Sequence, residues 1–285
     1  MNYCIITPTK NEGKYIEKLI QSMIAQEILP SEWLIMDDDS SDDTSEIVSK
    51  YLKNHSFIKY VKLSSFRKDL VNTGGRVAAV INYADTLRSS KSDILGKVDG
   101  DVSFDKDFFS KILDAFQKDS LLGIASGHLV ENGVPENIPN REGCRGATLI
   151  IRYDCYLQIG GFYESKTRGE DTLATVAARA KGWKTWTFDF YFNHLKPEGI
   201  RKSKLKNHYI TGCYKGSIPY WLPFFLGNIA RDVFKKPYLI GALVQIYAYC
   251  LFRYILRYKP FPDFVSKQFR SEQKNMFKKI VGYKK

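Results

Sequence analysis

Apolar runs of strand length alternate with stretches of helical periodicity through the first two thirds of the chain, and that alternation restricts the fold more than any other feature of the sequence. Strands are predicted at 3–8 (YCIITP), 32–37 (EWLIMD), 57–63 (FIKYVKL), 93–98 (DILGKV) and 122–127 (LGIASG). Helices are predicted between them, over about 13–26, 43–53, 72–88 and 105–117. In the first, Tyr15, Ile16, Leu19, Ile20 and Met23 recur at the spacing of one helical face. The expectation is an α/β protein with a mostly parallel sheet and helices on both faces. At 285 residues the chain is long enough for one large domain, or one domain with an appendage. No internal repeat or low-complexity tract interrupts it.

In open α/β sheets ligands bind outside the carboxyl ends of the strands, and polar and acidic clusters fall there. ITPTKNEG follows the first strand and offers Thr7, Thr9, Asn11 and Glu12. IMDDDSSDDTS follows the second, with Asp37, Asp38 and Asp39 at its tip, and KVDGDV sets Asp99 and Asp101 on either side of Gly100. Further on, Glu170 and Asp171 stand at the start of a helix. Each cluster alone has a plain structural reading: Asp-Gly-Asp forms turns readily, and Asp42, Asp43 and Glu12 suit helix N-termini. Several carboxylates on one sheet edge are different, because their mutual repulsion calls for a cation or a polyhydroxyl ligand. Hard divalent cations take oxygen ligands, and Mg²⁺ is typically held by one or two carboxylates plus substrate phosphates. That ties the DGD motif to a diphosphate. Neither a P-loop nor a G-x-G-x-x-G fingerprint is present to bind the phosphate instead. Gly74-Gly75 opens a helix where backbone can approach a ligand, and Arg76 offers a phosphate-facing charge.

After about residue 200 the grammar changes. Residues 200–285 carry 18 Lys and Arg against three acids, Asp232, Asp263 and Glu272, a net +15, whereas the first 199 residues hold 25 basic and 28 acidic residues, a net −3. Such a tail seeks anionic partners, either nucleic acid or an acidic membrane surface. Aromatics are dense in it, and prolines punctuate short helices. Pro237–Phe252 is uncharged for 16 residues, short of the roughly 20 that span a bilayer. These helices read as lying on or dipping into a membrane interface, or as a subdomain packed on the sheet. The five cysteines, Cys4, Cys144, Cys155, Cys213 and Cys250, are scattered and never form a C-x-x-C pair. That argues for reduced thiols in a cytosolic compartment and against a zinc or disulfide framework. No secretory signal is visible at the N-terminus.

Taken in order, TPTKNE, IMDDDSSDDT, KVDGDVSF, GATLIIRYDCYLQIGGF and GED resemble the family 2 glycosyltransferases with the GT-A fold, over about residues 2–195. More loosely, the tail resembles the C-terminal extension of bacterial members that assemble surface polysaccharides. The resemblance implies a catalytic domain over 1–199 and a helical, membrane-associating region over 200–285. It implies that Thr7, Thr9, Glu12, Asp38, Arg76, Asp99 and Gly100 bind the nucleotide-sugar, with Asp38 facing the base and Asp99 near the ribose. Asp101 and His194 become ligands of a divalent cation, Mg²⁺ or Mn²⁺, and Asp171 the catalytic base. On the acceptor side come Glu170 and Gly161; Arg141 and Arg145, which flank the GATLIIRYDCYLQIGGF segment, suit either contact with phosphate on donor or acceptor or a solvated loop.

A single base with no covalent nucleophile implies one in-line displacement from a nucleoside-diphosphate sugar, with inversion at the anomeric carbon. The implied partners are that donor, a glycan or lipid-linked acceptor and an anionic membrane surface. The implied location is the cytoplasmic side of a membrane, peripheral or monotopic. Two alternatives stay open at this point. A nucleotidyltransferase making an NDP-sugar would also use carboxylate-held metals but has no job for Asp171. A basic nucleic-acid-binding protein would account for the tail's charge, though long apolar helices interleave those charges.

Overall fold

The strands at the centre of the sheet are buried end to end, as β1 (Tyr3–Thr9) and β2 (Glu32–Asp37) show, because helices cover both of their faces. The computed structural model describes residues 1–64, 74–89, 91–131, 133–167, 169–196, 204–218, 220–234, 236–259, 261–280 and 282. The other strands are β3 (Ile58–Lys62), β4 (Ile94–Val98), β5 (Val102–Phe104), β6 (Leu122–Glu131), β7 (Val134–Pro135), β8 (Thr148–Arg152) and β9 (Lys184–His194). They form one nine-stranded sheet in the order β3-β2-β1-β4-β8-β6-β9-β5, with β7 paired to β6.

From β3 to β4 the pairing is parallel; β8 then enters antiparallel to both β4 and β6, and β9 is parallel to β6. The chain walks outward from β1 through β2 to β3 and then returns to the other side of β1 as β4. That reversal opens a crevice at the carboxyl ends of β1 and β4, where ligands of open α/β sheets bind.

Strand alternation sends Tyr3, Ile5, Trp33 and Ile35 to one face, packed by α1 (Ile16–Ile24), α2 (Thr44–Leu52) and α4 (Phe108–Lys118). The predicted helical face is realised, with Ile16, Leu19, Ile20 and Met23 all fully buried. Cys4, Ile6, Leu34 and Met36 point to the other face, under α3 (Gly74–Leu87), α5 (Tyr153–Ile159) and α6 (Glu170–Ala180).

The C-terminal helices are α7 (Lys204–Ser217), α8 (Leu222–Asp232), α9 (Leu239–Cys250), which runs on into a π-helical turn over Leu251–Ile255, and α10 (Asp263–Ile280). Packing on the body is real: α10 buries Val265 and Phe269 in the same core as α3 and α6, and Arg179 of α6 forms a two-pronged ion pair with Glu272 at 2.7 and 2.8 Å. In contrast, α8 and α9 leave apolar side chains in solvent, among them Leu226 (51% exposed), Ile240 (61%) and Leu243 (56%). α9 lies so close on α7 that a Cβ at Gly212 would sit 2.4 Å from the Gln245 carbonyl oxygen. No helix among the described residues is long and apolar enough to cross a membrane.

Since Phe269 is only 8% exposed, Phe269→Ala is expected to lower the unfolding free energy by about 3–5 kcal/mol. Denaturant melts would check this, and a loss below 1 kcal/mol (roughly the effect of a surface change) would show that α10 is not part of the cooperative core.

Candidate active site

Two loops at the sheet edge are stitched together before any ligand is considered. Asn11 after β1 and Asp39 after β2 both take the left-handed conformation, φ 55° and 61°, which Asn and Asp tolerate better than other non-glycine residues. The Asn11 amide donates to Ser40 Oγ at 2.9 Å, and the Ser41 amide donates to Asn11 Oδ1 at 2.8 Å. Asp42 accepts from the Gly13 and Thr44 amides at 2.9 and 3.1 Å. Burial would raise the Asp42 carboxyl, but these bonds and the one from the Thr44 hydroxyl hold it below its usual range. Asp37, fully buried, accepts from the Ser40 amide and from the Tyr60 hydroxyl. Asp37 and Asp42 thus brace the loop, whereas Asp38 is paired with Arg76, whose Nε donates to its Oδ2 at 3.0 Å.

The second half of the site comes from register. Val102 of β5 lies opposite His194 of β9, so Asp101 meets His194, with Oδ2 to Nε2 at 3.4 Å. Burial pushes the Asp101 carboxyl up, against the pull of His194. Gly100 fits because a Cβ there would lie 3.2 Å from both Glu12 Cγ and Thr9 Oγ1. Glu12 Oε1 accepts from Lys196 Nζ at 2.7 Å, while burial raises the carboxyl.

Lys97 is the residue that sequence reasoning missed. Its ammonium, buried at the end of β4, lies 2.6 Å from Asp99 and donates to the Gly146 carbonyl at 2.5 Å. Burial alone would lower its pKa, but Asp99 and Glu170 outweigh that and hold it above its ordinary range. Lys97, Asp99, Arg145, Glu170, Asp171 and His194 line one cavity of about 530 Å³. The Glu170 carboxyl is raised by burial first and by Asp171 second, with Lys97 opposing.

Elements from the C-terminal region hold the Glu170–Asp171 turn. Tyr214 of α7 packs so tightly on Gly169 (φ 104°) that a Cβ there would meet its ring at 2.2 Å. Ahead of the turn, the Ser165, Thr167 and Ser217 hydroxyls form a buried chain, and the Tyr258 hydroxyl accepts from the Lys166 amide at 2.6 Å.

Other predicted residues lie apart from the cavity. Thr7 is fully buried, and its hydroxyl accepts from the Trp33 indole at 2.9 Å. Gly161 helps end α5 through a bond from its amide to the Tyr156 carbonyl. Gly75 is pressed against the backbone at Ser165, to whose carbonyl its amide donates. Arg141 pairs with Asp189, away from the cavity, whereas Arg145 lines it and pairs with Glu136.

The donor set fits a hard divalent cation shared with a diphosphate. Among the described residues no three His, Cys, Asp or Glu side chains gather round one point, so Asp101 and His194 would need substrate oxygens to complete a coordination shell, as Mg²⁺ sites commonly do. Beside them, Thr9 Oγ1 and Glu12 Oε2 are buried with no hydrogen-bond partner. Each is a liability of about 1–3 kcal/mol that a ligand can relieve.

The sequence profile of glycosyl transferase family 2 matches residues 4–163, more than half of the chain. The chain belongs to that family. This family 2 glycosyltransferase is 34% identical over 132 residues to an uncharacterized glycosyltransferase of Mycoplasma genitalium, covering 46% of this chain and 41% of that one. It is 28% identical over 158 residues to the chondroitin synthase of Escherichia coli, covering 52% of this chain and 21% of the synthase. It therefore spans well under half the length of either curated relative. Among solved structures, S. aureus TarS 1–349 in complex with UDP-GlcNAc matches with a TM-score of 0.62 and 18% identity, over 98% of this chain and 92% of that one. The mannosyltransferase PcManGT from Pyrobaculum calidifontis, in complex with GDP-Man and Mn²⁺, matches at 0.57 and 15%, over 99% and 88%. These likenesses identify the fold as GT-A, and family membership sets aside the nucleotidyltransferase and nucleic-acid-binding alternatives.

The native state holds the Glu170 proton more tightly than the unfolded chain does. Its contribution to stability is fully present below pH 4.5, the ordinary value, and is lost as pH rises through the higher native one. Glu170→Gln is expected to remove that decline from the stability–pH curve, measured as the difference between wild-type and variant denaturant melts. A difference that does not change with pH would mean that Glu170 is not the responsible group.

Proposed function

We propose that this glycosyltransferase moves a sugar from a nucleoside-diphosphate sugar to a hydroxyl of a glycan or lipid-linked acceptor, by a single inverting displacement. The observation that carries the reading is the gathering of Asp99, Glu170, Asp171 and His194 round one cavity, with Asp101 paired to His194. Thr9, Glu12, Asp38, Arg76, Asp99 and Gly100 form the donor side, and Thr7 supports it from the core through Trp33. Binding of the base against Asp38 requires the Arg76 pair to open or to be shared with the nucleotide. Asp171, at the first turn of α6, takes the proton of the acceptor hydroxyl as it attacks the anomeric carbon. Glu170, beside it at the start of α6, faces Lys97 in the same cavity. Lys97 holds Asp99 and the Gly146 backbone in place and keeps positive charge near the leaving group. Asp101 and His194 would hold a divalent cation whose Lewis acidity neutralises charge on the departing diphosphate.

We further assign residues 1–199 to catalysis and 200–285 to attachment at the cytoplasmic face of an anionic membrane. Supporting this are the +15 charge and the exposed apolar side chains of α8 and α9. Gly161 belongs to the acceptor side only through the α5–α6 connection that it starts.

A screen of UDP-, GDP- and dTDP-sugars for nucleotide release with Mg²⁺ or Mn²⁺ tests the reaction, and no release from any donor would overturn it. Asp171→Asn is expected to leave nucleotide binding near wild type while lowering transfer by about 10²–10⁴; equal rates would remove Asp171 from the role of base. Asp101→Ala is expected to abolish the strengthening of nucleoside-diphosphate binding by Mn²⁺ in calorimetry. If the variant keeps that strengthening, the metal assignment fails.

A further inference from the structure

We infer that a cavity between α8, the π-helical turn and α10 seats the phosphate headgroup of an anionic membrane lipid. The inference rests on the proposed attachment to a membrane and not on the transfer reaction. The cavity, of about 290 Å³, is lined by three cations, Arg253, Arg270 and Lys274, and by no acidic residue. Arg270 and Lys274 are one turn apart on α10, where like charges share a face and repel. Among the described residues neither Arg253 nor Arg270 forms a salt bridge, and the Lys274 ammonium lies over the Trp221 indole at 5.9 Å. Three converging cations without a counter-charge make a site for an anion, and guanidinium groups match phosphate oxygens two at a time.

The walls of the cavity are fixed in advance. Tyr249 is fully buried, stacks on Phe225 with centroids 4.0 Å apart and donates to the Tyr220 carbonyl at 3.3 Å. The Trp221 amide donates to Gln273 Oε1 at 2.6 Å, and Gln273 is itself buried, so the start of α8 is tied to α10.

The surroundings choose the lipid over a soluble anion. Leu222 (43% exposed) and Tyr254 (54%) line the cavity, and Leu226, one turn on from Leu222 on α8, is also in solvent. A phosphate held by the cations beside these side chains belongs to a molecule whose other end is apolar. A free phosphate would leave that apolar rim in water, and a nucleic acid would press a polar backbone against it.

The test uses the full chain, with vesicles of phosphatidylcholine containing graded phosphatidic acid. Arg253→Gln combined with Arg270→Gln is expected to weaken sedimentation with the acidic vesicles by about tenfold or more. Lys278→Gln combined with Lys279→Gln removes the same charge from the exposed end of α10 and is expected to change it by less than about threefold. Equal losses in the two pairs would reduce the cavity to general electrostatic attraction and overturn the seat. Inorganic phosphate that competes as well as the vesicles do would assign the cavity to a soluble anion instead. A change in oligomeric state of the first pair by light scattering would make the face an interface between copies of this chain. Either result overturns the proposal. Nucleotide release from soluble donor, expected to be unchanged in both pairs, confirms that they fold; its absence in the wild type would count against the transfer reaction and leave the vesicle result standing.

Discussion

Five carboxylates crowd the carboxyl edge of this sheet, and their repulsion is held in check by two lysines. Lys97 sits under Asp99 and Glu170, and Lys196 reaches Glu12. Removing water from such a cluster strengthens every term in it, attractive and repulsive alike. Without Lys97, Asp99 and Glu170 would lack the positive charge that offsets both of them. The remaining negative charge, at Asp101 and Asp171, is left for the reaction. Lys97 also reaches the Gly146 carbonyl, which the chain entering β8 brings to the end of β4.

Much of this was legible in the sequence. Continuous apolar runs and period-3.6 patterning found the central strands and the first helices to within a few residues, because a strand buried on both faces is apolar throughout and a helix packed on it is apolar along one stripe. The carboxylates were legible as a group because they follow apolar runs. Lys97 was not, for a lysine inside a strand-like run gives no sign that a glutamate 73 positions later in the chain will neutralise it. The Glu12–Lys196 pair and the meeting of Asp101 with His194 depend on β9 joining β5, a pairing that no local signal announces. Thr7 and Gly161 teach the converse. Each stands at a position where a ligand contact was expected, yet the side-chain alternation of β1 turns Thr7 to Trp33, and the end of α5 uses the Gly160–Gly161 turn.

The C-terminal region is similarly mixed. Its composition announced an unusual surface, and the exposed apolar residues of α8 and α9 agree with that. Composition could not announce that α10 belongs to the core of the body, since its amphipathic pattern is the same whether the apolar stripe meets a membrane or a helix. The contacts of Tyr214, Ser217 and Tyr258 with the segment before α6 further bind this region to the turn that carries Asp171.

The position of α10 also sets the order in which the molecule can be completed. One face of the sheet, under α1, α2 and α4, closes with residues that are all made early. The other needs Phe261, Val265 and Phe269 from the far end of the chain. During synthesis the core under α3, α5 and α6 stays incomplete until α10 emerges to pack on α6. Contacts of such long sequence separation slow folding, and apolar surface left open on α6 is prone to associate with other chains. A nascent chain of this protein therefore carries one finished core and one that waits for α10.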